Sequence, residues 1–160
     1  MSETPEPAGP SETTAHTESF ETPERLRALP SRLLGLAAAR ADRAVGERLA
    51  AEDARKWHYA ALAALAERGP VSQAELSRRT GVYRSDLVAV INELEERGHV
   101  ARTPDPDDRR RNVVTLTPRG RAHLKKLDKV LAQAQDELMG PLSVAERALF
   151  VQLLERVIGR

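Results

Sequence analysis

From Ser31 onward, apolar residues recur at helical spacing. Leu33, Leu34, Ala37, Ala38, Ala41 and Val45 fall three to four residues apart and predict one helix face. A second helix is predicted from about Ala54 to Glu67, with Trp57, Ala61, Ala64 and Leu65 inward; Gly69-Pro70 stops it. Val71 is expected to contribute a very short extended piece. Ser72 is a good N-cap, and Glu75 three residues on predicts a capping box that opens a short helix to about Arg79. Thr80-Gly81-Val82 reads as a turn, because Gly81 takes a positive φ without steric cost. A longer helix follows from about Arg84 to Arg97. Its apolar residues Leu87, Val90, Ile91 and Leu94 stand at i, i+3, i+4 and i+7, and Gly98 ends it. A short helix, a glycine turn and a longer helix make a helix-turn-helix pattern.

The pattern then changes period. Val100-Ala101-Arg102 and Asn112-Val113-Val114-Thr115-Leu116 predict two short strands, with Val114 and Leu116 alternating with polar positions. Between them, Thr103 to Arg111 holds two prolines, three acids and three consecutive arginines, and reads as a loop. A hairpin directly after a helix-turn-helix is a wing. Thr117-Pro118 opens another helix, Thr as cap and Pro at the first helical position. Along it Leu124, Leu127, Leu131, Ala134 and Leu138 form a lengthwise seam. Gly140-Pro141 breaks it, and Ser143 with Glu146 makes a capping box for a last helix. Leu149, Phe150, Val151, Leu153, Leu154, Val157 and Ile158 cover more than one face of that helix. So much apolar surface needs more cover than one small domain provides, and a dimer partner is the simplest source.

Composition changes this picture in three ways. The 160 residues amount to one domain plus a tail. Aromatics are 3%, so the core must be built from Leu, Val, Ile and Ala. There is no Cys, which excludes disulfides, thiolate metal sites and thiol redox sensing. The net charge of +1 hides an asymmetry: residues 1–24 carry six Glu and no Lys or Arg, leaving 25 basic and 18 acidic residues in 25–160. Residues 1–30 are therefore expected to form a disordered acidic tail ahead of a basic body. No apolar run approaches the roughly 18 residues of a membrane span. The expectation is a cytoplasmic protein without membrane contact.

Three stretches carry a family resemblance: Leu94-Glu95-Glu96-Arg97-Gly98-His99-Val100, Asp105-Pro106-Asp107-Asp108-Arg109-Arg110 and Leu116-Thr117-Pro118-Arg119-Gly120-Arg121. Leu142 to Arg147 adds the start of the last helix. From about Ser31 to Ile158 the chain resembles the MarR family of winged helix-turn-helix regulators. The fold class this implies is mainly α with a small β-hairpin wing: a winged helix-turn-helix domain over 69–116 and a helical dimerisation region over 31–68 and 117–158, with helix 54–68 bridging to the DNA-binding lobe. The resemblance further implies an obligate homodimer, recognition helices in the major groove of double-stranded DNA and wings in the minor groove. Most such proteins are repressors, and many are released by a small aromatic or phenolic effector.

On that pattern the base-reading candidates are Arg84, Ser85, Asp86 and Ala89, with Asn92 deeper. Tyr83 at the helix entrance is placed to donate to a phosphate, and Ser72 and Gln73 stand at a helix N-terminus suited to one. Tyr83, Asp86 and Ala89 depart from the small cap, Thr and basic or polar residue common in the family, which makes this helix less cationic than usual. The wing carries more of the charge. Arg109, Arg110 and Arg111 suit a narrow minor groove, and the family's Asp-x-Arg arrangement maps onto Asp108 bracing Arg110. The family's effector pocket would lie near Arg55, Trp57 and His58, where Trp57 would stack a ring and His58 or Arg55 would engage a carboxylate.

The four histidines, His16, His58, His99 and His123, lack ligand spacing, so no metal and no cofactor is expected. His99 stands where relatives often have Leu. No nucleophile–base pair, phosphate loop or paired-carboxylate signature points to catalysis. The rival class is a winged-helix dimer that binds a protein partner instead of DNA, which the weakly basic recognition helix favours and the arginine wing opposes.

Overall fold

In the computed structural model, the described residues are 23–105, 108 and 112–159. The chain divides into two compact units, residues 1–35 and 36–160. The described part of the first holds the single-turn helix α1 (Glu24–Arg27) and the opening of α2 (Pro30–Ala50). Leu26, Leu29, Leu33 and Leu34 are exposed there. The stretch expected to be a disordered tail thus has a helical turn near its end, with Glu24 in the first turn and Arg25 and Arg27 in the last, the charge order a helix dipole favours. Residues 1–22 lie outside the described residues.

The second unit holds the rest of α2, then α3 (Lys56–Arg68), α4 (Gln73–Thr80), α5 (Arg84–Glu96), β1 (Val100–Pro104), β2 (Asn112–Leu116), α6 (Pro118–Leu138) and α7 (Val144–Val157). It is mainly α with a two-stranded antiparallel hairpin, as the pattern predicts. α3 is the central element, packed on α4, α5, α6 and β2. Leu62, Leu65, Leu76, Leu87, Ile91, Leu94, Val100, Val114 and Leu127 are fully buried around it. Each such side chain contributes about 1.5–3 kcal/mol by leaving water.

The helix-turn-helix follows its local signals. The Ser72 hydroxyl accepts from Glu75 N–H at 3.2 Å, and Gly81 closes α4 at φ 68. The predicted capping box is only half made. The Glu75 carboxylate turns instead to Arg79, 2.5 Å away, and Arg78, because arginines three and four residues on are stronger partners than the cap amide. Gly98, at φ 71, ends α5. Its N–H donates to Glu95 O and the His99 N–H reaches back to Leu94 O, a Schellman pair.

The hairpin pairs Val100 with Leu116, Arg102 with Val114 and Pro104 with Asn112. β1 runs two residues past its predicted end. Val71 bridges Val114 on the other edge of β2, the short extended piece its sequence suggested. In β2 Val113 is buried as well as Val114 and Leu116, so alternation is incomplete.

α3 turns a different face inward from the predicted one. Ala61 and Leu65 are buried as expected, but His58 and Leu62 complete the stripe, while Trp57 is 37% exposed with Lys56 Nζ 5.1 Å from its ring centroid. Positions 58, 61, 62 and 65 form an i, i+3, i+4, i+7 set that a polar reading of His58 conceals. α6 starts as predicted, with Thr117 Oγ1 accepting from Gly120 N–H at 2.9 Å and Pro118 at the first position. α7 has the predicted capping box from Ser143 and Glu146 but buries no residue. Val144, Leu149, Val151, Leu153, Val157 and Ile158 are all exposed. No helix among the described residues is long and apolar enough to cross a membrane.

Candidate nucleic-acid interface

The apolar stripe of α5 fixes its outward face. With Leu87, Val90, Ile91 and Leu94 buried, helical geometry turns Arg84, Ser85, Asp86, Ala89 and Asn92 to solvent, and all five are exposed. Tyr83 at the N-cap is 80% exposed, and its side chain makes no capping bond. The phenol therefore projects from the helix entrance. Ser85 Oγ donates to Asp86 Oδ1 at 3.4 Å, and among the described residues no cation pairs with Asp86.

Tertiary structure brings two of the predicted groups together. Ser72, Gln73 and Arg84 share the wall of a cavity of about 290 Å³ with Arg102 and Asn112 of the hairpin. The N-termini of α4 and α5 thus meet the base of the wing. Arg102 and Asn112, which no local sequence signal singles out, complete that wall. Asn92, read as a base contact, accepts on Oδ1 from Arg102 Nη2 at 2.6 Å. Arg102 also donates its backbone N–H to Glu95 Oε1 at 3.1 Å and pairs its guanidinium with the same carboxylate. The turn at Gly98 folds residue 102 back onto residues 92 and 95, a juxtaposition that spacing along the chain does not reveal.

The wing residues divide. Arg109, Arg110 and Arg111 lie outside the described residues. Asp108 is described and exposed.

A polar cluster joins α3 to the inner side of α5. His58 is 1% exposed, the first of two buried polar residues among those described. Its Nδ1 accepts from Arg55 N–H at 3.2 Å, which assigns the ring proton to Nε2, and Nε2–H donates to Glu93 Oε2 at 3.0 Å. Arg55 Nη2 donates to the same carboxylate at 2.6 Å. Burial, and then the Arg55 charge, hold the His58 imidazole below its ordinary pKa, so it is neutral at pH 7. The bond to Arg55 holds Glu93 below the usual carboxylate range. Of the three residues expected at an effector pocket, Arg55 and His58 therefore meet Glu93, and Trp57 faces outward. Arg55 and Lys56 also border a mostly apolar cavity of about 360 Å³ with Val45, Ala50 and Ala54.

The family model described as "MarR family" matches residues 54–111, the span from the loop before α3 to the residue before β2. Among curated proteins, the HTH-type transcriptional repressor NicR of Pseudomonas putida is 36% identical over 100 residues, covering 62% of this chain and 63% of NicR. The chain thus spans less than two thirds of that relative. The transcriptional regulator HosA of Escherichia coli O111:H- is 31% identical over 107 residues, 67% of this chain and 79% of HosA. Among solved structures, the repressor CouR bound to a 23-mer DNA duplex superposes with a TM-score of 0.77 at 27% identity, covering 84% of this chain and 96% of CouR. BpsR of Bordetella bronchiseptica, whose DNA binding is regulated by 6-hydroxynicotinic acid, superposes at 0.75 with 27% identity, covering 87% and 99%.

Proposed function

Because this chain belongs to the MarR family, we propose that it is a homodimeric, sequence-specific DNA-binding transcriptional regulator that represses from a pseudo-palindromic operator. The observation that carries this reading is the face of α5. Arg84, Ser85, Asp86 and Ala89 stand exposed on a helix whose opposite side is locked in the core, beside Ser72 and Gln73 at the start of α4. That is the placement a recognition helix needs to enter a major groove while a neighbouring helix N-terminus meets phosphate. The DNA-bound CouR and the repressor NicR, both similar to this chain, support it.

In this reading Arg84 bonds a guanine edge, Asp86 accepts from a cytosine amino group, and Tyr83 donates to a phosphate. Ser85, Ala89 and Asn92 complete the base-facing surface, Asn92 through the amide nitrogen that Arg102 leaves available. Arg109, Arg110 and Arg111, with Asp108, work in the minor groove. The uncovered apolar positions of α7 support a dimer. The domain plan follows: 69–116 reads DNA, while 31–68 and 117–158 assemble the dimer. An effector carboxylate arriving near Arg55 and Trp57 would compete with Glu93 for the Arg55 guanidinium, loosening the tie between α3 and the recognition helix. BpsR, similar in fold and regulated by an aromatic acid, supports that expectation.

The test is selection of binding sites for the full-length chain from a random DNA pool, followed by titration of the winner at several salt concentrations. The expected result is an inverted repeat with half-sites roughly 34–36 Å apart. With about eight phosphates neutralised, log affinity should fall against log salt with a slope near −7. Weak, sequence-blind binding would overturn the reading and favour the protein-interaction module.

A further inference from the structure

Arg102 ties the start of the hairpin to the end of α5. Its backbone is held in the sheet: it faces Val114, which bridges in turn to Val71. Its N–H donates to Glu95 Oε1 at 3.1 Å, and its guanidinium pairs with Oε2 of the same carboxylate. Two contacts to one acid leave the guanidinium little freedom, and the side chain is only 24% exposed. From this fixed position Nη2 donates to Asn92 Oδ1 at 2.6 Å.

That bond decides which end of the Asn92 amide faces outward. A free amide turns about its last bond and presents either oxygen or nitrogen to a partner. A guanidinium carries donors and no acceptor, so only Oδ1 can lie against it. The cation makes this contact stronger than one between neutral groups. Asn92 is exposed, about one turn beyond Ala89 on the outward face of α5. What it offers there is Nδ2, with its two hydrogens. A free Asn bonds adenine in bidentate fashion, accepting from N6 and donating to N7. Asn92 is barred from that pairing, because its oxygen is turned to Arg102.

We propose that Arg102 is a positioning residue for base recognition: by holding Oδ1 of Asn92 it makes this part of the recognition helix a pure donor, selective for a keto oxygen on the major-groove edge, guanine O6 or thymine O4. Adenine and cytosine present amino groups there, so donor would meet donor. Glu95 contributes by anchoring Arg102. The assignment rests on the proposed function and adds to it a base class and the residue that sets it. Arg102 also lines the cavity shared by Ser72, Gln73 and Arg84. The competing role is therefore a phosphate contact, which carries no base preference.

The experiment measures affinities of the full-length chain for its selected operator and for duplexes with each base pair replaced in turn. In the wild type, one position per half-site should prefer guanine or thymine. Adenine and cytosine should bind about tenfold more weakly there, within the range a base-edge contact supplies. Asn92→Asp keeps one oxygen against Arg102 and turns the other outward, so the preference should reverse toward adenine or cytosine. Arg102→Met removes the donor and frees the amide, so adenine should rise to match guanine. Arg102→Lys retains a donor and should keep the wild-type order. An equal loss on every duplex in Arg102→Met would show a phosphate contact and overturn the assignment. So would an unchanged base order in Asn92→Asp, which decides the matter if Arg102→Met does not fold. The tie itself is read without DNA: the side-chain amide NMR signals of Asn92 should shift in Arg102→Met, and unchanged signals would overturn it. If the wild type selects no site, the regulator reading and this role fall together. A selected site whose base order ignores these substitutions removes the role of Arg102 alone.

Discussion

The α-carbon of Gly120, in the first turn of α6, lies against the carbonyl oxygen of His99. A Cβ at Gly120 would collide with that oxygen and stand 2.7 Å from Leu116 Cδ1. The same junction is closed by Thr117, whose N–H donates to His99 O at 3.1 Å and whose hydroxyl lies 2.8 Å from Gly98 O. Backbone meets backbone here, so neither side can yield by changing a rotamer. Gly120→Ala should therefore destabilise the fold by about 2–3 kcal/mol through overpacking. Gly46→Ala, in an open helical position of α2 with nothing within 4 Å, should gain about 0.5–1 kcal/mol from helix propensity. Urea unfolding of the two variants checks the contrast; equal effects would show that the close approach does not matter.

Glu93 is the shared acceptor of Arg55 and buried His58. Glu93→Ala leaves the His58 Nε2–H without that partner and should cost about 1–3 kcal/mol. Since Glu93 raises the His58 pKa against burial, its removal should depress that pKa further. Chemical denaturation and a ring titration of His58 by NMR measure both. An unchanged His58 titration would show that the carboxylate is not coupled to the ring.

Acid should weaken the fold through buried His58 and His99 and half-buried His123. His58, His99 and His123 all have folded-state pKa values below the ordinary 6.5, His99 at about 4. The unfolded chain takes up these protons first, so the stability they preserve is complete above about pH 6.5 and declines as pH falls toward about 4. For His99 alone the decline is on the order of 3 kcal/mol, at about 1.4 kcal/mol per pH unit. His99→Leu should flatten this part of the curve and, by removing the unpaired Nδ1, lose little or nothing at pH 7. Unfolding free energies at pH 7 and pH 4.5 for both proteins provide the comparison; parallel curves would show that His99 is not a source of the acid sensitivity.

α7 carries its apolar residues without cover. Leu149 and Leu153 are 54% and 45% exposed and lie four residues apart on one side of the helix. In a homodimer they would be buried, and a charge there would be desolvated at severe cost. Leu153→Glu should convert a sedimenting dimer into monomer while far-UV circular dichroism keeps its helical signal. A wild-type chain that sediments as a monomer at micromolar concentration would remove the dimer from the proposal.

Arg84 and the wing arginines should fail differently. Arg84→Ala should cost about 1–3 kcal/mol on the selected operator and relax preference at one base position. Replacing Arg109, Arg110 and Arg111 with Ala should weaken binding across sequences and reduce the salt slope by about one for each phosphate no longer neutralised. Salt titrations on matched and mismatched duplexes separate the two. Uniform loss in Arg84→Ala would mean that it touches phosphate rather than a base.

Local rules determined most of the architecture from sequence. The caps at Ser72, Thr117 and Ser143, the turns at Gly81 and Gly98, and the stripe Leu87-Val90-Ile91-Leu94 each depend on residues within one or two turns of each other, so spacing alone reveals them. The outward face of α5 follows, because burying one stripe of a helix exposes the other. Tertiary structure decided what joins distant positions. It placed His58 rather than Trp57 in the core, because Glu93, thirty-five residues away, supplies an acceptor. It drew Glu75 from its cap to Arg78 and Arg79, bent Arg102 back onto Asn92 and Glu95, and stacked His99 on His123. A buried polar group is tolerable only with a partner, and the partner's position is a property of the folded chain. That is why sequence located the helices and the outward face of α5, while the polar ties and the cavity at the base of the wing emerged only from the fold.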